Sequence, residues 1–262
     1  MGPTPLAAAA ALTLLGCLAL GPGAVRPAAQ KPALPDVLTR AFTYYATLTS
    51  YADTGTVERE APGILDKSKF TTRFRRQTRD LYFDYQTLTS TNPATRFTID
   101  MSVHRTVIWM FKGDMETYGF YSKSHEIISA RNGGQVRALQ GAGHATSGTS
   151  MLVPSLLYSQ SRLPSTFLQI EEATVAGTEE VGGRRCHKVT GVAAAYYPSG
   201  QRTGIRPVTV WIDAETQLIR KVFEDTVKGT PAGSFHRTTI TYEPQANPTL
   251  DDAKFRFTVP GQ

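Results

Sequence analysis

The side chains that most often carry out chemistry are few and widely spaced in this chain of 262 residues. No two of the five histidines lie four residues apart, the spacing that places two metal ligands on one helix face. Those histidines are His104, His125, His144, His187 and His236. Cys186 precedes His187, but neighbours in an extended strand point to opposite faces, so a thiol–imidazole pair is not expected. The sequence therefore predicts neither a metal site nor a thiol nucleophile.

Other catalytic motifs are missing as well. Residues 141–144 are rich in Gly but lack the spacing and context of a dinucleotide loop, and no Gly-Lys-Ser or Gly-Lys-Thr phosphate cradle occurs. Ser150 has Leu152 where an esterase elbow would have its second Gly. Carboxylates occur as adjacent pairs that favour turns or the surface, namely Glu171-Glu172, Glu179-Glu180 and Asp251-Asp252. We predict a protein that is not an enzyme and carries no cofactor.

The first thirty residues have the pattern of a secretory signal. Residues 6–20 form an apolar run with one Thr, too short to span a bilayer comfortably, and Gly21, Pro22 and Gly23 follow it. We expect residues 1–30 to be a cleaved signal peptide and residues 31–262 to form one domain in the periplasm or outside the cell. Export argues against a nucleic acid partner, so the pI near 9.3 is interpreted as a solvated basic surface.

Cys17 leaves a second interpretation of the export segment open. Residues 14–17 read Leu-Leu-Gly-Cys, which resembles the lipobox at which bacterial lipoproteins are cut and acylated. Acylation at Cys17 would make the protein a membrane-anchored lipoprotein instead of a diffusing one. Cleavage near residue 30 would leave Cys186 as the one cysteine, so a large core would have to stabilise the domain without a disulfide.

The apolar residues after the export segment recur first at helical spacing and then at strand spacing. A helix is predicted to begin at Pro35 and Asp36, with an apolar stripe of Val37, Leu38, Ala41, Phe42, Tyr45 and Leu48. From Tyr51 onward the alternation has a period of two, which indicates strands. The first strand ends near Val57, and the others are predicted at residues 70–74, 81–85, 105–111, 116–120, 174–181, 184–192, 207–213, 218–225, 237–242 and 255–259.

A loop and one short helix are predicted between the two groups of strands. Residues 132–150 are rich in Gly, Ser, Ala and Thr and indicate a loop, whereas the apolar residues 151–157 indicate a short helix. About ten antiparallel strands can form a closed barrel or a strongly curved sheet plugged by helices. We predict the second arrangement, a mainly β (α+β) fold. Its curved antiparallel sheet forms an unclosed barrel, covered by the N-terminal amphipathic helix and the short mid-chain helix.

The order and spacing of four segments resemble the LolA-like family of periplasmic outer-membrane lipoprotein-sorting proteins, over nearly the whole chain after the signal. The segments are Leu48-Thr49-Ser50-Tyr51-Ala52-Asp53-Thr54-Gly55, the strand 70–74 with Arg75-Arg76, Trp211-Ile212-Asp213-Ala214-Glu215-Thr216 with Leu218-Ile219-Arg220, and Phe255-Arg256-Phe257-Thr258-Val259-Pro260. The resemblance implies an unclosed barrel whose apolar interior receives lipoprotein acyl chains or another lipid. It also leaves open a sensor module of the same fold that binds lipid or an envelope protein partner.

The resemblance further implies which residues face the ligand. Carriers of this family have an Arg on an early strand, commonly followed by Pro, that helps to hold the helical lid closed. Arg76 matches that position, although Gln77 replaces the Pro, and Arg73 or Arg75 is the alternative inward residue. The other residues expected in the core or against an acyl chain are Phe70, Phe74, Phe83, Tyr85, Trp109, Phe111, Leu156 and Trp211. We expect a monomer.

Overall fold

The computed structural model describes residues 35–146, 152–158, 169–196, 202–227, 229–231 and 233–258. The predicted signal peptide, with Cys17, lies outside the described residues. Within the described ranges, no helix combines the length and the apolar composition that crossing a membrane requires.

Three α-helices and two short 3-10 helices occur in the described ranges. Helix α1 spans Asp36–Thr47, α2 spans Gly134–Thr146 and α3 spans Leu152–Leu157. The 3-10 helices span Ala130–Asn132 and Asp252–Phe255. The predicted first helix and the predicted short mid-chain helix are therefore confirmed.

The sheet contains more strands than the eleven segments that the sequence predicted, and most of the strands are longer than predicted. The first seven are β1 (Ser50–Ala61), β2 (Ile64–Arg75), β3 (Asp80–Asn92), β4 (Phe97–Asp100), β5 (Arg105–Phe111), β6 (Asp114–Gly119) and β7 (Ser124–Ile128). The second group is β8 (Gln169–Val181), β9 (Arg184–Tyr196), β10 (Arg202–Asp213), β11 (Ile219–Glu224), β12 (Arg237–Tyr242) and β13 (Gln245–Ala246).

All the described strands belong to one antiparallel sheet that does not close on itself. Its order is β7-β6-β5-β3-β2-β1-β12-β11-β10-β9-β8, while β13 pairs with β1 and β4 pairs with β3. The first strand therefore joins the two groups by pairing with β12 near the end of the chain. Strands β7 and β8 form the two edges. The predicted class, an unclosed antiparallel barrel with covering helices, is confirmed.

One face of the sheet, which we call the inner face, packs against the helices. Residues opposite one another in register lie on the same face, so Phe74, Leu81 and Met110 form one row across β2, β3 and β5. In the other half, Val210, Val222, Ile240 and Val57 form a second row across β10, β11, β12 and β1. Both rows belong to a buried core that also contains side chains of α1, α2 and α3.

The prediction of a loop at residues 132–150 is wrong, because most of that segment forms α2. Residues 147–150 lie outside the described residues. Ala138, Leu139 and Ala142 of this helix are buried in the core. At Gly141, an added Cβ would come within 2.7 Å of Cδ1 of Ile108 on β5. Gly141 thus lets the helix approach the sheet closely, and packing against the sheet offsets the low helix propensity of the glycines in this helix.

The strand predicted at residues 255–259 is also wrong for every residue of it that the structure describes. The 3-10 helix Asp252–Phe255 begins after Asp251, whose carboxylate accepts a hydrogen bond from the Ala253 amide. Phe255 is fully buried, and the Arg75 guanidinium lies 4.9 Å from its ring centre. Capping and burial therefore turn this segment back onto the sheet instead of extending a strand.

Candidate functional site

Five aromatic side chains meet in the core at the inner face. The Phe70 ring lies 6.1 Å from that of Phe83 and 5.6 Å from that of Tyr242, measured between ring centres. Phe74 packs against Tyr158, the residue after α3, with ring centres 4.8 Å apart. All five side chains are buried. They form an apolar wall whose geometry aromatic pairs favour.

Gly55 makes room for this wall. A Cβ at this position would overlap the ring of Phe70 and the carbonyl oxygen of Thr241 on the neighbouring strand β12. Gly55 lies opposite Phe70 on one side and Tyr242 on the other. The two aromatic rings therefore approach each other over a residue that has no side chain.

Two helices cover the wall from above. Leu38, Ala41 and Tyr45 of α1 are fully buried, as is Leu157 of α3. The side chains of both helices belong to the same core as the inner-face aromatic residues. Covering helices of this kind occupy the space that an apolar ligand would need.

The structure brings together five of the predicted ligand-facing residues. Phe70, Phe74 and Phe83 lie on the inner face and are buried, and the half-buried Tyr85 lies opposite Phe70. Leu156 of α3 is buried in the same core. These five residues lie together in the core beneath the helices, and their contact with a ligand stays a prediction.

The structure places the other three predicted aromatic residues on the outer face. Trp109 lies opposite Tyr82, and both face away from the helices because Phe83 and Ile108 face toward them. The Trp109 ring packs edge-on against Phe257, with centres 5.2 Å apart. Phe111 lies on the same outer face, under the guanidinium of Arg256 at 4.5 Å. Trp211 lies between the ammonium groups of Lys188 and Lys221, at 5.4 and 4.6 Å.

Arg76 attaches the C-terminal end of α1 to the sheet. Its guanidinium donates to the carbonyl oxygen of Tyr45 at 2.6 Å and to that of Leu48. These are carbonyls that the helix end leaves without a partner, and the positive charge suits the negative end of the helix dipole. Partial burial lowers the pKa of Arg76.

The two alternative arginines have outer-face partners. Arg73 and Arg75 flank the inner-facing Phe74, so their side chains leave the strand on the other face. Arg73 lies over the outer ring of Tyr82 at 5.3 Å, and Arg75 pairs with Asp252 at 2.6 Å. Of the three arginines, Arg76 is therefore the one that contacts a covering helix.

A buried row of polar side chains, which the sequence did not single out, runs beneath α1. The Tyr51 hydroxyl donates to Oδ2 of Asp53 at 2.7 Å, and the Thr72 amide donates to Oδ1 at 3.0 Å. The Tyr45 hydroxyl is hydrogen-bonded to Tyr51 and accepts from the Ile219 amide at 3.2 Å. The sequence feature that could have identified this row is the alternation along β1, which puts Tyr51 and Asp53 on the same face of the strand.

Burial controls the acid–base behaviour of this row. It raises the pKa of Asp53 to about 6, although the hydrogen bonds from Thr72 and Tyr51 act in the opposite direction. It also raises the pKa of Tyr45, Tyr51 and Tyr242, so these phenols stay protonated near neutral pH. The row therefore contains one group, Asp53, that changes charge between pH 5 and 7.

Tyr242 adds an unpaired hydroxyl to the inner face. Its oxygen is buried and has no hydrogen-bond partner within the part of the chain that the structure describes. A buried hydroxyl without a partner costs free energy. It is consequently a group that a polar atom of a ligand could satisfy.

The inner face becomes polar toward the end of β1 and the start of β2. Arg59 donates to the Tyr85 hydroxyl at 3.0 Å, and that hydroxyl donates to Ser68 at 2.8 Å. The neighbouring strands contribute the buried side chains of Thr238 and Glu224 in register with Arg59. The inner face is thus amphipathic, with its aromatic wall at one end and polar groups at the other.

Within the described ranges, no three His, Cys, Asp or Glu side chains are arranged to hold a metal ion. Cys186 is buried as a free thiol, and burial raises its pKa, which disfavours the reactive thiolate.

Comparison with known proteins yields similarity of fold without similarity of sequence. No family model and no curated protein match the chain. LprF from Mycobacterium bovis is 12% identical, with a TM-score of 0.44 over 82% of this chain and 93% of its own. The Mycobacterium tuberculosis lipoprotein LppX is 14% identical, with a TM-score of 0.43 over 84% and 99%. A chain of the Pseudomonas aeruginosa MucA/MucB complex is 13% identical, with a TM-score of 0.41 over 85% and 60%. The predicted membership of the LolA-like family stays a prediction.

Proposed function

We propose that this protein is a lipid-binding carrier of the cell envelope that holds an acyl chain against its inner face without chemical turnover. The observation that supports the proposal is the aromatic wall of Phe70, Phe74, Phe83, Tyr158 and Tyr242, which α1 and α3 cover. An acyl chain that displaced a covering helix would replace its apolar contacts. Each buried methylene contributes roughly 0.8 kcal/mol, so a long chain can compete with a short helix.

The polar groups of the inner face support a ligand that has a polar head. The unpaired Tyr242 hydroxyl can donate a hydrogen bond to one oxygen of a carboxyl or ester group. Arg59 lies farther along the same face and carries a positive charge. A ligand with one long apolar chain and an oxygen-rich or anionic head matches this arrangement.

The full chain, exported and purified without detergent, provides the test. Solvent extraction and mass spectrometry should find bound lipid, and the delipidated protein should take up a fluorescent fatty acid. Phe83→Leu should weaken uptake by several-fold because it removes ring surface from the wall. Tyr82→Leu, the adjacent residue on the outer face, is the matched control and should bind as the wild type does.

A regulatory module that binds an envelope protein is the second candidate. The observation that favours it is the pair of edge strands β7 and β8, which end the sheet and can accept a further strand. A protein that carries no lipid, takes up no fatty acid and retains one specific protein in a pull-down would replace the carrier by this module.

Residues 1–30 and Cys17 bear on where such a carrier works. We infer a soluble protein of the periplasm or extracellular space once the signal peptide has been removed. Acylation at Cys17 would instead give a receptor fixed to a membrane.

A further inference from the structure

The exposed apolar side chains of this protein are concentrated at one end of the sheet. The large apolar residues that stand exposed in the described ranges are Ile64, Phe97, Ile99, Val103, Tyr121, Ile127, Val175 and Val227. Ile127 and Val175 lie inside the edge strands β7 and β8. The remaining six lie where β2 begins, on β4, or in the connections β4–β5, β6–β7 and β11–β12.

Strand register shows that these six belong to the same end, which we call the distal end. Phe97 pairs with Asn92, where β3 ends, and Leu65 at the start of β2 pairs with Thr91. The turn after β6 is beside the start of β5, because the Phe120 amide donates to the Arg105 carbonyl at 2.9 Å. The β11–β12 connection follows Glu224, whose strand partner Thr238 lies opposite Arg59 near the end of β1.

The opposite end of the sheet is polar. Its turns include residues 76–79 between β2 and β3, 112–113 between β5 and β6, and 214–217 between β10 and β11. The exposed side chains there include Arg79, Lys112 and Glu215. Among the described residues, Ile127 on β7 is the one large apolar side chain that stands exposed toward this end, where it pairs with Glu116 near the start of β6. The two ends therefore face different surroundings.

Two distal turns combine an exposed aromatic ring with a neighbouring cation. Phe97 is 65% exposed and follows Arg96, and Tyr121 is 68% exposed and stands two residues before Lys123. Arg96 and Lys123 are exposed, and neither forms an ion pair in the described part of the chain. Tyr121 is held by the His104 ring, whose centre is 4.3 Å from its own.

Side chains at the membrane–water interface commonly combine an aromatic ring with a neighbouring Lys or Arg. The ring enters the headgroup region, while the cation stays with the lipid phosphates. Side chains that project from separate turns suit a deformable lipid surface better than the flat area of about 800 Å² per partner that a stable protein interface needs. The net charge of +6 also favours an anionic surface.

We propose that the distal end docks on an anionic lipid membrane through Phe97, Tyr121, Arg96 and Lys123. This inference rests on the proposed carrier function, because a carrier must reach lipid at a membrane. The polar groups of the inner face lie toward this same distal end, since Arg59 lies near the end of β1. A lipid headgroup at the docked surface would therefore meet the polar groups of the inner face first.

Vesicle co-sedimentation of the full chain tests this inference. The preparation should show no acyl chain by intact mass, because an acylated Cys17 would hold the protein on vesicles by itself. We expect binding to vesicles of phosphatidylcholine mixed with phosphatidylglycerol, and about tenfold weaker binding by a Phe97→Ser, Tyr121→Ser double variant. Arg96→Gln with Lys123→Gln should remove the preference for phosphatidylglycerol, with about fivefold loss for each cation.

Ile127→Ser is the matched control, since Ile127 is 65% exposed but lies in edge strand β7. It should bind vesicles as the wild type does, and circular dichroism should show all variants folded. The proposed docking surface would be wrong if the wild type did not bind vesicles. It would also be wrong if Ile127→Ser weakened vesicle binding as much as the Phe97→Ser, Tyr121→Ser variant does. Uptake of monomeric fatty acid is measured on the same preparations. Uptake without vesicle binding refutes the docking surface alone, whereas vesicle binding without uptake refutes the carrier alone.

Discussion

The Tyr51 hydroxyl donates a 2.7 Å hydrogen bond to Asp53, two residues farther along the same strand and on the same buried face. This pair ties β1 to the Tyr45 hydroxyl of the covering helix and, through Asp53, to the Thr72 amide of β2. A titratable carboxyl consequently lies in the contact between the sheet and α1. Stability and the attachment of the helix should both depend on its charge.

The first prediction concerns pH. The pKa of Asp53 is about 6 in the folded protein against 3.8 for the free group, so the folded state binds the proton more tightly. Its stabilising contribution is complete below about pH 4 and is lost as the pH rises through 6. Between about pH 4 and 6, the free energy of unfolding should therefore fall by on the order of 3 kcal/mol. Urea unfolding at several pH values should show this slope in the wild type and not in Asp53→Asn.

Asp213→Asn is the control for that experiment. Asp213 is also buried, but hydrogen bonds from the Thr216 and Glu215 amides and from Arg220 outweigh the effect of burial and lower its pKa. Its contribution is therefore lost only as the pH falls below the ordinary range of an Asp, outside the window from pH 4 to 6. If Asp53→Asn kept the wild-type slope, the assignment to Asp53 would be wrong.

The second prediction concerns the attachment of α1. Arg76→Ala removes the hydrogen bonds to the carbonyls of Tyr45 and Leu48 and should cost about 2 to 3 kcal/mol. Hydrogen exchange of the α1 amides should become faster, and a carrier should take up fatty acid faster because its cover opens more readily. Arg73→Ala, whose guanidinium lies over Tyr82 on the outer face, should change neither rate.

The third prediction concerns the unpaired hydroxyl on the inner face. Tyr242→Phe removes a buried group without a partner in the described chain, so stability should stay equal or rise by about 1 kcal/mol. Fatty-acid affinity should fall by several-fold if the hydroxyl holds the ligand's polar head. Thermal unfolding and titration with a fluorescent fatty acid measure the two effects, and unchanged affinity would remove Tyr242 from the ligand site.

The fourth prediction concerns Gly55. Gly55→Ala forces a Cβ against Phe70 and the Thr241 carbonyl and should destabilise the fold by at least about 2 kcal/mol. The exposed neighbour Thr54 is the control, and Thr54→Ala should cost under about 1 kcal/mol although it loses a hydrogen bond to Glu243. Denaturant unfolding compares the variants. Equal midpoints for Gly55→Ala and the wild type would show that the sheet tolerates a side chain there.

The fifth prediction concerns the amino terminus of the exported protein. Intact-mass measurement should give a chain that begins near Lys31, after removal of residues 1–30. A chain that begins at an acylated Cys17 would contradict the cleaved signal peptide and would identify an anchored receptor instead of a diffusing carrier.

Local patterns determined much of this fold from the sequence alone. The spacing of Val37, Leu38, Ala41 and Tyr45 defines α1, and the period of two along Phe70, Thr72 and Phe74 defines β2. Hydrophobic periodicity depends only on near neighbours, which is why it identified the antiparallel strands and showed that Phe70 and Phe74 share one face of β2. It failed for α2, because Gly134, Gly141 and Gly143 lower the helix propensity of that segment and the contact of the helix with β5 compensates for them.

The tertiary structure alone decided which face of each strand the helices cover. Alternation shows that Trp109 and Ile108 point in opposite directions, but only packing against the helices places Ile108 inside and Trp109 outside. The bond from Arg76 to Tyr45 spans 31 residues, and the pairing of β1 with β12 joins Val57 to Ile240. Such long-range pairings set burial and charge at the site, and no local pattern encodes them.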